Sequence, residues 1–194
     1  MNPIHHKEFP QGSFQVYDQR PDFEVINCHQ THSNLVVEYK GESLEDVQAD
    51  GIILDPKVYP NIIIGAKTAD CLPVLFIGEK IAMVHAGWKG VQNQILLDPQ
   101  IKTLKVHTIY IGPSIHSYEI QEEFKANFPE SSNFSHSEAK IFFDLQQEAI
   151  SQLSEGFPQA KVLNSDICTL DNNSYNSYRR NQTKQRNWNI FKIK

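Results

Sequence analysis

The chain has 194 residues, a formal charge of −5, 40% hydrophobic residues and 21% charged residues. This length suits one large domain or two small ones, with enough apolar side chains to bury a core. The composition excludes disordered and collagen-like chains, and the acidic balance excludes an extended nucleic-acid groove.

Three cysteines, Cys28, Cys71 and Cys168, are too few and too odd in number for a disulfide framework. The opening Met1-Asn2-Pro3-Ile4-His5-His6-Lys7 does not read as a secretory signal, and no apolar run approaches the roughly 20 residues that cross a bilayer. The expectation is a cytoplasmic protein with no membrane and no nucleic-acid partner, in which an unpaired cysteine signals metal, catalysis or core. The one basic concentration runs from Arg179 and Arg180 through Lys184, Arg186 and Lys192 to Lys194.

Residues 1–22 are polar and carry Pro3, Pro10 and Pro21, which predicts an irregular N-terminal arm with one short strand around Phe14–Tyr17. A single domain is expected over residues 23–194. Short β-branched runs at Glu24–Cys28 and Asn34–Tyr39 predict strands flanking the polar junction His29–Ser33. Four apolar runs follow, Gly51–Leu54, Asn61–Gly65, Val74–Ile77 and Ile81–Val84, of a kind that suits strands buried on both faces. Lys105–Ile111 predicts another strand, ended by Gly112-Pro113.

Helical periodicity comes later. Ile120, Phe124 and Phe128 share one face of a predicted helix over Tyr118–Phe128, stopped by Pro129. Asp144 is placed to cap a second helix running to about Leu153, with Gly156 just past its end. Lys161–Leu163 and Asn189–Ile193 read as final strands. Many strands with few, late helices predict an α+β fold rather than βαβ alternation.

Three potential metal ligands stand at predicted strand ends: His32 after the 24–28 run, Cys71 between two apolar runs, and His85 where the 81–84 run stops. Imidazole and thiolate suit zinc, and catalytic zinc keeps three protein ligands and one open position. The spacing matches no short zinc finger. A buried small hydrophobe is the plain alternative for Cys71 and a hydrogen-bonded strand-end ring for His85.

The wording around these residues is more specific. Thr68-Ala69-Asp70-Cys71-Leu72-Pro73, His85-Ala86-Gly87-Trp88-Lys89-Gly90 and Ile111-Gly112-Pro113-Ser114-Ile115 resemble the YfiH family, also called the laccase-domain or multicopper polyphenol oxidase-like family. The similarity continues in family order through Gln30-Thr31-His32, Ala49-Asp50-Gly51, Tyr118-Glu119-Ile120, Asp144-Leu145, Cys168-Thr169 and Ser177-Tyr178-Arg179-Arg180. The resemblance implies a compact α/β/β/α sandwich of mixed sheets. It also implies a zinc-dependent purine nucleoside phosphorylase that splits adenosine, inosine, guanosine or methylthioadenosine with inorganic phosphate and deaminates adenosine. The metal ligands it implies are His32, Cys71 and His85, the same trio, with Cys71 as thiolate.

Asp70, beside the thiolate, is expected to serve either as a proton carrier or metal-site partner, or as a turn carboxylate capping backbone N–H groups. Arg179 and Arg180 offer planar forks for phosphate, with surface ion pairs as the alternative. Gly87 and Gly90 would allow close backbone approach, and Trp88 reads as core. His29 is set aside as a ligand, as are His5, His6, His107, His116 and His136, together with Cys28 and Cys168.

Residues 1–22 hold no counterpart of the family's Phe-Ser-x-Arg-x-Gly-Gly segment, and its Thr-Gly-Arg becomes Thr183-Lys184-Gln185-Arg186. Three rivals therefore stay open: copper-dependent oxidation of phenols with Met83 as a weak axial ligand, a hydrolase using Cys71 as nucleophile, and a catalytically silent binding protein. Monomer and homodimer are both open.

Overall fold

In the computed structural model, which describes residues 1–194, the apolar runs become the centre of a mixed sheet. The strands are β1 (His5–Phe9), β2 (Gly12–Tyr17), β3 (Val36–Glu38), β4 (Gly51–Leu54), β5 (Ile63–Thr68), β6 (Leu72–Ile77), β7 (Ile81–Ala86), β8 (Thr108–Ile111), β9 (Ser117–Ile120), β10 (Phe134–Ser137), β11 (Lys140–Asp144), β12 (Lys161–Asn164) and β13 (Asn187–Ile193). The helices are α1 (Trp88–Gln92), α2 (Pro99–Lys102), α3 (Leu145–Gly156) and α4 (Tyr178–Asn181).

Six strands form one sheet in the order β12-β8-β6-β7-β4-β3. Its outer pairs β12–β8 and β3–β4 are parallel and its inner pairs antiparallel. Successive side chains point to opposite faces. Along β6 and β7, Leu72, Val74, Phe76, Ala82, Val84 and Ala86 therefore share one face, where they meet Val91, Ile95, Leu145, Ala149 and Leu153 of the helical segments. Leu75, Ile77, Ile81 and Met83 point the other way, onto Phe14, Val16, Ile64 and Phe191. Both faces are dry, which explains why these strands read as continuous apolar runs.

The second face is covered by a four-stranded sheet in the order β1-β2-β13-β5. A third sheet, β10-β11-β9, adds Tyr118, Ile120 and Phe143 to the helical side of the core. The fold is mixed α+β, as expected. Asp144 accepts from Gln147 N at 2.8 Å and caps α3 as predicted, although α3 extends through Gly156. No helix is long and apolar enough to cross a membrane.

Four expectations change. The arm predicted over residues 1–22 does hold the strand expected around Phe14–Tyr17, as β2 beside β13, but it is a hairpin rather than irregular, because a further strand, β1, pairs with β2. The signal of β1 was hidden because it carries mostly exposed polar residues, whereas β2 buries Phe14 and Val16 completely where it pairs with β13. The strand predicted at Glu24–Cys28 reduces to one bridge, Ile26 with Ile64 of β5. Three residues later His29 bridges Gln48, ahead of β4, so this segment crosses between two sheets and extends in neither.

The helix predicted over Tyr118–Phe128 is β9 followed by a 3₁₀ segment, Glu122–Asn127. Pairing of Tyr118 with Phe143 and of Ile120 with Ile141 fixes the first half as strand. Phe124 and Phe128 still pack on Phe143, with ring centroids 5.3 and 4.6 Å away. Finally, β10–β11 is a hairpin that the polar sequence around Ser135–Ser137 did not suggest.

Phe14 is fully buried, 5.0 Å from the Tyr110 ring, and its ring tip occupies the space a side chain at Gly112 would need. Phe14→Ala should therefore lower unfolding free energy by about 3–5 kcal/mol in urea titration. Substitution of Val58, which is 61% exposed, should change it by less than about 0.5 kcal/mol.

Candidate metal centre

The register of β4 against β7 brings the three expected ligands together. Gly51 pairs with Val84, which sets Asp50 opposite His85, and the His85 amide donates to the Asp50 carbonyl at 2.7 Å. The Asp50 carboxylate, completely buried, then reaches His85 Nδ1 at 2.8 Å through Oδ1. A carboxylate only accepts, so Nδ1 carries the hydrogen and Nε2 is left for a ligand.

The same carboxylate organises the loop of His32. Oδ2 accepts from the amides of Thr31 and Ser33 at 3.2 and 2.6 Å and from Ser33 Oγ at 2.6 Å, while Oδ1 accepts from the His32 amide at 3.1 Å. This cluster of donors holds His32 in the left-handed region, at φ 60°. Asp50 is the residue that sequence reasoning missed. Its trace was the carboxylate in Ala49-Asp50-Gly51, directly ahead of a strand, whose partner strand could not be known from local pattern.

Cys71 lies at the β5–β6 junction after Asp70, whose φ is 90°. Asp70 is held there by Thr169 Oγ1, which donates to Oδ1 at 2.8 Å, and by the Arg179 amide, which donates to Oδ2 at 2.7 Å. Both oxygens accept hydrogen bonds from within the protein, one of them from a backbone N–H group at the start of α4.

The result is a cluster in which the ligand atoms of His32, Cys71 and His85 all lie within 4.8 Å of one another. Cys71 Sγ is 3.7 Å from His32 Nε2, and the two imidazoles meet edge to face with centroids 4.8 Å apart. Zinc bonds of about 2.0–2.3 Å place tetrahedral ligands roughly 3–4 Å from each other, so this donor set fits one such ion. Gly87 makes room for it: a Cβ there would sit 2.9 Å from His32 Cδ2 and 3.1 Å from Cys71 Sγ.

Electrostatics favour a thiolate. Burial alone would raise the Cys71 thiol, but the His85 charge and hydrogen bonds from His32 and His85 hold it down to about 6. For His85, burial opposes the charge, while the Cys71 thiolate and Asp50 hold it up to about 9. Asp50, despite burial, is kept down to about 2 by His85 and Ser33.

The cluster opens on a cavity of about 810 Å³, also lined by Lys67, Trp88, Tyr118, Tyr178, Arg179 and Arg186. That volume lies within the range of small-ligand pockets. Trp88, read as core, is half-buried at the cavity wall and packs edge-on to Phe124 at 5.3 Å. Arg179 lines the cavity, with its guanidinium 4.7 Å from the Tyr118 ring centroid and donating to the Glu119 carbonyl at 3.3 Å.

Arg180 does not line it. Its guanidinium donates to the carbonyls of Thr169, Leu170, Asn172 and Tyr175, cross-linking the loop before α4. The phosphate fork expected at Arg180 is thus directed into backbone. His29 lines the cavity without joining the ligand cluster, and Cys28 is buried in the core between the sheets.

The matching comparisons agree with this architecture. Residues 14–193 match the family described as multi-copper polyphenol oxidoreductase laccase. The chain is 33% identical over 165 residues to a purine nucleoside phosphorylase of Aquifex aeolicus, covering 81% of this chain and 77% of that one. It is 31% identical over 172 residues to the purine nucleoside phosphorylase YfiH of Shigella flexneri, covering 81% and 69%. A Neisseria meningitidis crystal structure superposes with a TM-score of 0.73 at 28% identity, covering 87% of this chain and 74% of that one.

Three outcomes test the centre. Iodoacetamide should alkylate Cys71 of metal-free protein at neutral pH, with half-maximal rate near pH 6, leave Cys28 (pushed up to about 11) untouched, and be blocked by added Zn²⁺. Asp50→Asn should weaken metal affinity by about 10–100-fold in chelator competition. Gly87→Ala should abolish stoichiometric metal binding in elemental analysis, because its Cβ occupies space between two ligands.

Proposed function

This chain belongs to the multi-copper polyphenol oxidoreductase laccase family, and on that footing we propose that it is a metal-dependent purine nucleoside phosphorylase. The observation that carries the reading is the His32–Cys71–His85 cluster set in a cavity large enough for a nucleoside beside an anion. In the reaction a phosphate oxygen bonds to ribose C1′ as the bond from C1′ to the purine breaks, giving ribose 1-phosphate (5-methylthioribose 1-phosphate from methylthioadenosine) and a base that takes up a proton. Adenosine, inosine, guanosine and methylthioadenosine are the proposed substrates, with deamination of adenosine by water as a side reaction.

His32, Cys71 and His85 would hold Zn²⁺, which when bound supplies Lewis-acid polarisation at its open position. Asp50 fixes the His85 tautomer and the His32 loop. Asp70 acts by position: with both oxygens already accepting hydrogen bonds, it sets the Cys71 turn and the start of α4. Arg179 adds a cavity-facing guanidinium that favours the charge developing on the oxygens of the reacting groups. Residues 1–22 and 23–194 act as one unit, joined by the pairing of β2 with β13. All three cysteines are free, in keeping with a reducing, cytoplasmic setting.

Copper oxidation finds less support. Met83, the proposed axial ligand, is packed between the sheets at 1% exposure and does not line the cavity.

The test is incubation of zinc-loaded protein with each nucleoside, with and without phosphate, resolving base, ribose 1-phosphate and inosine chromatographically. Base release should depend on phosphate, and Cys71→Ala should reduce it by at least about 100-fold. No release from fully zinc-loaded protein would overturn the reading, and copper in place of zinc in protein purified without added metal would overturn the metal assignment.

A further inference from the structure

The cavity holds more positive charge than the metal chemistry uses. Lys67, Arg179 and Arg186 line it, against a single carboxylate, Asp70, whose oxygens are already engaged. This concentration sits in a chain of net charge −5. None of the three cations forms an ion pair, so their charge is not cancelled within the cavity wall.

Lys67 is the most constrained of them. On β5 it pairs with Trp188 of β13, which in turn faces Tyr17 of β2, on the side of the sheet away from the core residues Ile64 and Phe191. Its peptide is clamped by Gln30, whose Nε2 donates to the Lys67 carbonyl and whose Oε1 accepts from the Lys67 amide, both at 2.8 Å. Gln30 lies two residues before His32, so the clamp ties this lysine to the metal loop. The ammonium lies 5.7 Å from the Trp188 centroid, and Arg20 stands 5.6 Å from the same ring.

Burial pushes the Lys67 ammonium below its usual range, and Arg20 and Arg186 add repulsion against a pull from Glu45. Arg186 is half-buried, with its Nη1 donating to the Thr183 and Gln185 carbonyls. Like charges gathered at a concave wall without a carboxylate partner raise the local potential and concentrate an anion there. A guanidinium fork beside an ammonium point charge matches a tetrahedral oxyanion. Arg179 also faces the cavity, but its guanidinium lies across the Tyr118 ring and on the Glu119 carbonyl.

We infer that Lys67 and Arg186 form an oxyanion subsite of the cavity that binds inorganic phosphate, with Gln30 as the positioning residue that holds Lys67 beside the metal loop. The inference rests on the phosphorylase reading for the identity of its anion. It places phosphate on the β5–β13 side of the cavity, and it assigns a role to a lysine that no local motif marks.

The experiment is titration of inorganic phosphate into metal-loaded protein by calorimetry, without nucleoside, for wild type, Lys67→Met, Arg186→Gln and Lys184→Gln. Lys184 is exposed and outside the cavity, so the last variant controls for net charge. Each cavity variant should weaken phosphate binding by about tenfold or more with metal content unchanged, and the control should stay within about twofold. In turnover, the KM for phosphate should rise by a similar factor while the KM for nucleoside holds.

Phosphate affinity in both cavity variants equal to that of the control would overturn the subsite. Two further results separate it from the activity. Phosphate binding lost in both variants, from a wild type that releases no base, would keep the subsite and overturn the phosphorylase. Base release with an unaltered phosphate KM in both variants would do the reverse.

Discussion

A single buried carboxylate governs the site. Asp50 has no access to water, and an ionised group in that position is costly unless every lone pair is met. It is met by the amides of Thr31, His32 and Ser33, the Ser33 hydroxyl and His85 Nδ1. The same contacts that satisfy the charge fix one ligand's loop and the other ligand's tautomer. Because Asp50 directly precedes β4 and His85 lies near the end of β7, the antiparallel register of two core strands becomes the geometry of the candidate metal centre.

Two residues at the centre adopt backbone conformations that L-amino acids avoid. His32 and Asp70 both have positive φ, at a cost of about 1–3 kcal/mol each. Each is held by hydrogen bonds rather than by local preference, His32 by Asp50 and Asp70 by Thr169 and Arg179. The partners come from distant parts of the chain, so the site exists only when the sheets and the α4 segment have docked. Gly87 completes this arrangement by what it lacks, since any side chain there would press on His32 and Cys71.

Charge is distributed with the same economy. Lys105, Lys140 and Lys194 pair with carboxylates at the surface, where such pairs contribute little stability. Three cations without a carboxylate partner, Lys67, Arg179 and Arg186, line the cavity. Arg180 and Arg179, adjacent in sequence, illustrate the division: one guanidinium stitches four carbonyls together, and the other lies against Tyr118 in the cavity. Identical side chains one position apart on a short helix face different directions, and no sequence pattern separates them.

Local pattern was enough to fix the strands whose apolar runs are buried on both faces, β4, β6 and β7, because continuous hydrophobicity demands a dry environment on either side. It also determined the capped helix α3, because Asp144 and the residues it caps are neighbours in the chain. Through local wording it marked His32, Cys71 and His85. The tertiary structure alone decided the hairpin β1–β2, the reduction of residues 24–28 to a crossing segment and the strand at Ser117–Ile120, since each depends on which edge was free to pair. It alone revealed Asp50 and Lys67, whose roles arise from partners across a sheet. Hydrophobic periodicity records how each residue meets the core, and it carries no record of which distant atom a polar side chain will face.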